Sequence, residues 1–307
     1  MVSLLTAGSV FGIETPVNVM TLSGNTGLAM VKMMDSTANT NTAYKFQVFK
    51  SPDLLLGKII SGEADIAALP TNTAAILYNK GVNIQVTSVI GWGVMYVVGS
   101  ETKIKRWIDL KGKEISVVAK GAVPDVMFQY FLVKNNLKPG TDVKINYMAS
   151  PAELAQLVAA GKINLAVLPE PWVTEVTERS PQTKVLLDFQ KEWGRLEKKG
   201  NRYPQSCVVV SRKFAQEQPE KLKLFLRDLQ DSMVWLDKYP EKGGLLAEKY
   251  VQLSPVSVEK GLGRSNLKYN DAYRVRSKVQ HFLGVLSQIA PDAIGGKLPD
   301  EGFYYQK

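Results

Sequence analysis

The sequence has one cysteine and one histidine in 307 residues. The lone cysteine, Cys207, excludes an intramolecular disulfide and a zinc site built on cysteines. His281 lies in the helix-like stretch SKVQHFLGVL, where it reads as a partly buried helix residue rather than a general base. No Ser/His/Asp set, metal-ligand cluster or close carboxylate pair presents itself, so hydrolytic and metal chemistry have no obvious carriers. Low-complexity blocks are absent, which argues against disorder. No apolar run is long enough to span a bilayer. The Lys-Ser/Thr pairing of a P-loop and the full dinucleotide-binding glycine spacing are also missing.

What is present describes an ordinary globular protein, with 45% hydrophobic and 22% charged residues. The length suggests two domains. The formal charge is +9. The lysines are scattered and not interleaved with aromatics, so this reads as a solvated basic surface and not a nucleic-acid footprint. Residues Val2 to Gly12, VSLLTAGSVFG, are apolar and rich in small residues. They resemble the back half of a secretory signal that lacks its positive start. Residues 1–14 are therefore expected to be a signal remnant or a disordered leader. No cysteine stands near this end, so a lipid anchor is not expected.

The strongest feature is internal self-similarity. SPDLLLGKIISGEADIAALPTN from Ser51 and SPAELAQLVAAGKINLAVLPEP from Ser150 align without a gap at an offset of 99 residues. In each copy serine is a candidate N-cap and proline takes the first helical position. Apolar residues then recur at helical spacing: Leu55, Ile59 and Ile60, against Leu154, Leu157 and Val158. Gly62 and Gly161 stop the helices. Ile66 to Leu69 and Leu165 to Leu168 read as buried parallel strands, each ended by proline. Upstream, strands are expected at Val17–Met20 and Ile115–Val118. Helices follow through Ala29, Met30 and Met33, and through Met127, Phe128 and Phe131. Further strands are expected at Lys45–Phe49 and Val143–Met148. Each half is strand–helix–strand–helix–strand, a doubly wound α/β unit. The fold class is thus two α/β lobes with a cleft between them and a helical C-terminal region packed on lobe one. Lobe one is expected at 15–94 and 207–307, lobe two at 95–206.

Ligands of open α/β sheets bind beyond the carboxyl ends of the strands. The segments there are Thr21 to Gly27, including Ser23 and Asn25, then Lys120 to Asp125, including Gly121 and Ala122. After the third strands come Pro70-Thr71-Asn72-Thr73 and Pro169-Glu170-Pro171-Trp172. Both first-strand turns place backbone amides at a helix start, suited to an anion or a carbonyl, or serve only as tight turns. Glu170, held between prolines, points to a ligand or hinge contact, while Trp172 reads as core or stacking face. Trp92, between Gly91 and Gly93, is a candidate stacking ring. Tyr203, a candidate ligand contact, leads with Gln205 and Ser206 into the run Cys207 to Val210, where the chain returns to lobe one, and both crossings are candidate hinges. Lys191 to Arg202 reads as a charged, solvated excursion. From Pro219 the pattern is largely helical. Arg264, Asn266 and Tyr269 are candidates to reach the cleft, though no pattern in the sequence fixes where they lie.

GEADIAALP at Gly62, the second-lobe LPEPW and the paired strand–helix units resemble the type II periplasmic binding proteins of ABC importers. The resemblance runs from about Thr15 to the C-terminus and is closest to the nitrate, sulfonate, taurine and thiamine-pyrimidine-precursor branch. It implies an extracytoplasmic protein, monomeric, that captures a small molecule by lobe closure and hands it to a membrane permease, with no cofactor, metal or nucleic acid. It implies cleft contacts from Ser23, Asn25, Thr71, Asn72, Gly121, Ala122 and Glu170. Trp92 and Glu170 favour a flat, pyrimidine-like heterocycle. The alternative is a sulfonate, taurine or nitrate, held by the two turns with Lys120 and Arg264. A pyrimidine-precursor biosynthetic enzyme shares the fold, but its cysteine-rich motif has no counterpart here. A transcription regulator would need a helix-turn-helix before Val17, and none is evident.

Overall fold

A computed structural model describes residues 15–40, 43–50, 52–198, 200 and 202–306. The leader over 1–14 and the Ser51 cap lie outside these residues. In chain order the elements are β1 (Val17–Leu22), α1 (Asn25–Leu28), α2 (Val31–Thr40), β2 (Tyr44–Phe49), α3 (Pro52–Ile60), β3 (Ile66–Pro70), α4 (Thr71–Asn79), β4 (Ile84–Gly91) and β5 (Met95–Gly99). They continue with β6 (Glu114–Val118), α5 (Val123–Lys134), β7 (Lys144–Met148), α6 (Pro151–Ala159), β8 (Leu165–Pro169), α7 (Trp172–Arg179), β9 (Lys184–Asp188) and α8 (Phe189–Glu197). The chain ends with β10 (Ser206–Ser211), α9 (Arg212–Glu217), α10 (Pro219–Lys238), α11 (Pro240–Val251), α12 (Pro255–Ser265), β11 (Leu267–Asp271) and α13 (Arg276–Ile289), with three short 3-10 turns elsewhere.

The expected duplication is visible in the topology. The first sheet runs β11-β4-β10-β3-β1-β2 and the second β7-β6-β8-β5-β9. In each, the first repeat strand lies between its two parallel partners: β1 between β2 and β3, β6 between β7 and β8. Antiparallel strands then widen each sheet: β10, β4 and β11 in one, β5 and β9 in the other. Helices cover both faces of each sheet, because near-continuous apolar strands such as β3 and β8 must be buried on both sides. The repeat helices end as expected, with Gly62 at φ 76° and Gly161 at φ 69°, a conformation that glycine adopts without Cβ strain. Ser150 occupies the N-cap of α6, but its side chain makes no capping bond.

Three expectations need correction. The helix through Ala29 and Met33 is two pieces, α1 and α2, because α1 turns tightly over Leu22. A Cβ on Gly27 would stand 2.7 Å from the Leu22 carbonyl oxygen and 2.8 Å from Val251. The segment from Lys191 does not start as a solvated loop but continues α8. Phe189 and Trp193 are buried one turn apart and Leu196 packs beside them, so the charges lie on an amphipathic helix. The C-terminal region is not all helical, since β11 extends the first sheet at its edge.

The C-terminal helices α10 and α11 pack on α2 of lobe one, while α12 also touches α7 and α13 also touches α5, both in lobe two. Among the described residues no helix is long and apolar enough to cross a membrane. The core of lobe two is sensitive to added volume at Gly99, where a Cβ would meet the Asn164 carbonyl oxygen at 2.3 Å. Gly99→Ala is expected to destabilise by about 1–3 kcal/mol, the cost of overpacking, because the opposing atom is backbone. Urea denaturation checks it, and an unchanged midpoint would show that the two strands can part there.

Candidate functional site

The chain crosses between the sheets twice. β4 leaves the first sheet at Gly91 and β5 enters the second at Met95, while β10 returns at Ser206. The crossings are bonded to each other. Gln205 donates its backbone N–H to the Gly91 carbonyl (2.9 Å) and accepts the Val94 N–H on its Oε1 (3.0 Å). Thr71, at the start of α4, donates its N–H to the Gln205 carbonyl (2.9 Å). The carboxyl ends of β3 and β8 are therefore bonded to this joint, β3 through Thr71 and β8 through the Glu170 N–H on the Val94 carbonyl (3.0 Å).

Ser23 donates its hydroxyl to the Val251 carbonyl (2.6 Å), and Asn25 donates its amide to the Ser265 carbonyl (3.3 Å). The side chains of the first turn are thus anchored to α11 and α12, while Asn25 Oδ1 is enclosed without a hydrogen-bond partner. Thr71 is fully buried, its hydroxyl beside the Cys207 thiol. Burial pushes that thiol up to about 12, so Cys207 is an inert core residue. Asn72 is buried and donates to the Ala293 carbonyl (3.0 Å), inside lobe one and away from the joint.

In lobe two, Gly121 and Ala122 form an open turn before α5. The Gly121 N–H is already bonded to Asp125 Oδ2 (2.8 Å). Asp125 is 1% exposed and also accepts from Gln129 (2.8 Å) and the Tyr147 hydroxyl (3.0 Å). A carboxylate of the protein therefore fills this helix start, where the turn would otherwise offer a free amide to an anion. Lys120 stands over the Tyr147 ring, 5.6 Å from its centre.

The two unduplicated candidates, Trp92 and Glu170, are both engaged. Trp92 is 4% exposed. Its backbone N–H reaches the Asn266 carbonyl (3.2 Å), its indole N–H reaches the Lys268 carbonyl (2.9 Å), and Lys278 stands 5.6 Å from the ring centre. The flanking glycines let the chain turn, and β11 then covers the ring, so it is core and not an open stacking wall. Glu170 has a fully buried carboxylate that accepts Arg264 Nε at 2.5 Å and the Thr174 hydroxyl and N–H. Burial raises its pKa above the usual carboxylate value, while the charge and hydrogen bonds of Arg264, then Thr174, pull it back down. Arg264 also donates to the Thr174 hydroxyl (2.7 Å). This contact links α12, which packs with α11, to the start of α7.

Tyr203 is also not open to a cleft. It is 0% exposed, stacked on Phe282 with ring centres 5.3 Å apart, tilted against Trp193 at 5.4 Å, and donates its hydroxyl to Gln190 Oε1 (3.2 Å). His281 sits on α13 with Nε2 2.7 Å from Glu197 Oε2 and its ring edge-on to Trp193, a packing and pairing position as expected.

Sequence reading placed Gln205 at the return crossing but missed Thr174 and Gln190, which also tie the joint. Thr174 lies one helical turn after Glu170, a spacing that could have flagged it. Gln190 carries no local signal. Among the described residues no group of histidine, cysteine or carboxylate side chains is arranged to hold a metal.

Comparison with known proteins agrees with this architecture. A family model described as "ABC transporter, phosphonate, periplasmic substrate-binding protein" matches residues 33–252. The structure of an ABC transporter from Parabacteroides distasonis is similar over 96% of this chain and 100% of its own, with 28% identity and a TM-score of 0.79. The periplasmic aliphatic sulphonate binding protein SsuA of Escherichia coli shares the fold at 15% identity and TM-score 0.74, over 95% of this chain and 92% of its own. The periplasmic nitrate-binding protein NrtA of Synechocystis shares it at 13% and 0.66, over 92% and 84%. The putative binding protein YtlA of Bacillus subtilis is 20% identical over 194 residues. That match covers 62% of this chain and spans 56% of YtlA, little more than half its length.

Proposed function

This chain belongs to the periplasmic substrate-binding proteins of the phosphonate ABC transporter family, and from that premise we propose that it is an extracytoplasmic receptor that captures a small polar solute between its lobes and delivers it to a permease. The observation that carries this reading is the pair of equivalent three-strand parallel units joined by a double chain crossing, to which the carboxyl ends of β3 and β8 are bonded. Such ends are where open α/β sheets bind ligands, and a two-stranded joint is what hinge closure uses. In this reading lobe one is 15–94 with 207–307 and lobe two is 95–206. The receptor acts as a monomer in this reading.

For the solute, the anchored turn at Ser23 and Asn25 and the open turn at Gly121 and Ala122 remain the best contacts. Thr71 is the further candidate at the joint, Trp92, Glu170 and Tyr203 act as support around it, and Asn72 is bonded inside lobe one. The heterocycle preference loses the two residues it leaned on, since Trp92 is covered and Glu170 is paired with Arg264. A multiply charged anion is disfavoured at the α5 start, where Asp125 is already lodged. These two facts together favour a solute that is uncharged or carries a single charge. Pyrimidine-like compounds on the one hand, and taurine, alkanesulfonates or nitrate on the other, both meet that charge requirement.

A thermal-shift screen of the purified protein with pyrimidines, taurine, alkanesulfonates, nitrate and phosphonates tests this. A true ligand at hundredfold excess over its Kd stabilises the folded state by about 2.7 kcal/mol, and calorimetry should give one site per chain. A shift produced by phosphonates alone would overturn the charge argument. Conversion of the bound compound to a product would overturn the receptor reading.

A further inference from the structure

The two lobes meet through contacts of two kinds. Behind the crossings the contact is apolar and closed: Phe282 of α13 stacks on Tyr203, and Trp193 of α8 packs against both. Beside it lies a polar contact between α12 of lobe one and α7 of lobe two. There Arg264 grips Glu170 and Thr174, Lys260 pairs with Glu178, and the Tyr96 hydroxyl of β5 donates to the Arg264 carbonyl (3.2 Å). The helices approach closely because position 261 is glycine: a Cβ there would stand 2.6 Å from the Thr174 hydroxyl and 2.9 Å from Glu170 Oε2. Trp172, half-buried at the start of α7, packs against apolar clusters of both lobes.

We propose that α12 is a latch for lobe closure, with Arg264 the positioning residue that holds Glu170, Thr174 and so α7 against lobe one. The two kinds of contact divide the work. The enclosed aromatic joint cannot admit water without losing its packing, so it stays shut and acts as the pivot. The latch has groups already partly in water: the side chain of Arg264 is 42% exposed, Lys260 54% and Glu178 41%. The exposed Lys260–Glu178 pair exchanges for water at low cost, and opening also hydrates the Glu170 carboxylate that is otherwise fully buried, so the latch opens before the aromatic joint. Helix α12 meets the first turn only where the Ser265 carbonyl accepts from Asn25, and the Arg264 side chain bonds to Glu170 and Thr174 and to neither turn, so the latch sets how much of the protein is closed without choosing what is bound. Apparent solute affinity then scales with the closed fraction.

This inference rests on the receptor reading for its purpose, but its test needs no solute. Spin labels at Lys138→Cys in lobe two and Gln216→Cys in lobe one, both exposed sites, report the lobe separation by pulsed EPR. Cys207 is enclosed and takes no label. Without solute, Arg264→Ala is expected to raise the ratio of the open to the closed distance population by about tenfold, within the range typical of coupled conformational equilibria. Lys260→Glu should raise it by roughly threefold, as fits a partly exposed pair, and the exchange Lys260→Glu with Glu178→Lys should restore it. These two surface variants do not disturb the core, so a folding defect cannot mimic the result. Distance distributions that stay unchanged in both Arg264→Ala and Lys260→Glu would overturn the latch, whatever the protein binds. A shift in those distributions with no solute found by the screen would leave the latch standing and sink the receptor reading instead.

Discussion

Tyr203→Ala is expected to lower the stability of the whole protein by about 3–5 kcal/mol, the usual cost of emptying a large aromatic site. Tyr203 is 0% exposed and lies where the chain returns from lobe two. Its ring is shared by Trp193 of lobe two and Phe282 of α13. The cavity would therefore open at the seam between lobes, where neither side can collapse into it without moving a helix. Tyr203→Phe keeps the ring and loses only the bond to Gln190 Oε1. It should cost about 1 kcal/mol, with part of that from leaving Gln190 one donor short. Guanidinium denaturation separates the two. If alanine cost no more than phenylalanine, the joint would be loosely packed and could not serve as a pivot. Solute affinity should be unchanged in Tyr203→Phe, because the hydroxyl points at Gln190 and not at either turn.

Arg264→Ala is expected to destabilise by about 2 kcal/mol near neutral pH. Removing one partner of a fully buried ion pair typically costs 3–5 kcal/mol, and two features reduce the figure here. The Arg264 side chain is 42% exposed, so water screens part of the pair, and opening of the latch would hydrate Glu170. The loss should depend on pH. The folded-state pKa of Glu170 is already raised, by burial above all, and Arg264 is the largest influence opposing that rise. Without Arg264 it rises further. A group whose pKa is raised on folding favours the fold while protonated, and that contribution is lost as pH climbs through the folded-state value. The variant should therefore lie nearer the wild type at about pH 4.5, the ordinary glutamate value, than at about pH 7.5. Glu170→Gln combined with Arg264→Ala should remove the difference, since no carboxylate is left to titrate. Equal losses at both pH values in the single variant would show that Glu170 is not the source.

Much of the architecture was legible because it is written in local patterns. The Ser-Pro starts, the glycine stops and the apolar runs of the two copies depend on residues a few positions apart, and helices and parallel strands form from such patterns wherever they occur. The 99-residue offset then implied two equivalent units. The helix α8 was within reach of the same reasoning, since Phe189, Trp193 and Leu196 follow helical spacing, but the charges between them dominated the reading. The edge strand β11, with sequence LKYND, carries no apolar alternation and is held by its pairing with β4, so no local pattern announced it.

The candidate site divides along the same line. Sequence alone determined which turns follow equivalent strands, because the order of elements along the chain and their direction follow from the repeat. Tertiary structure decided what the distinctive side chains do. Trp92 looked like a free ring between glycines, yet the chain from Asn266 to Lys268 returns to cover it. Glu170 looked like a carboxylate offered to a ligand, yet its partner Arg264 comes from 94 residues further along. A buried charge or an indole N–H must find a partner wherever the fold supplies one, and that partner is set by which helices pack together, a fact no local pattern contains.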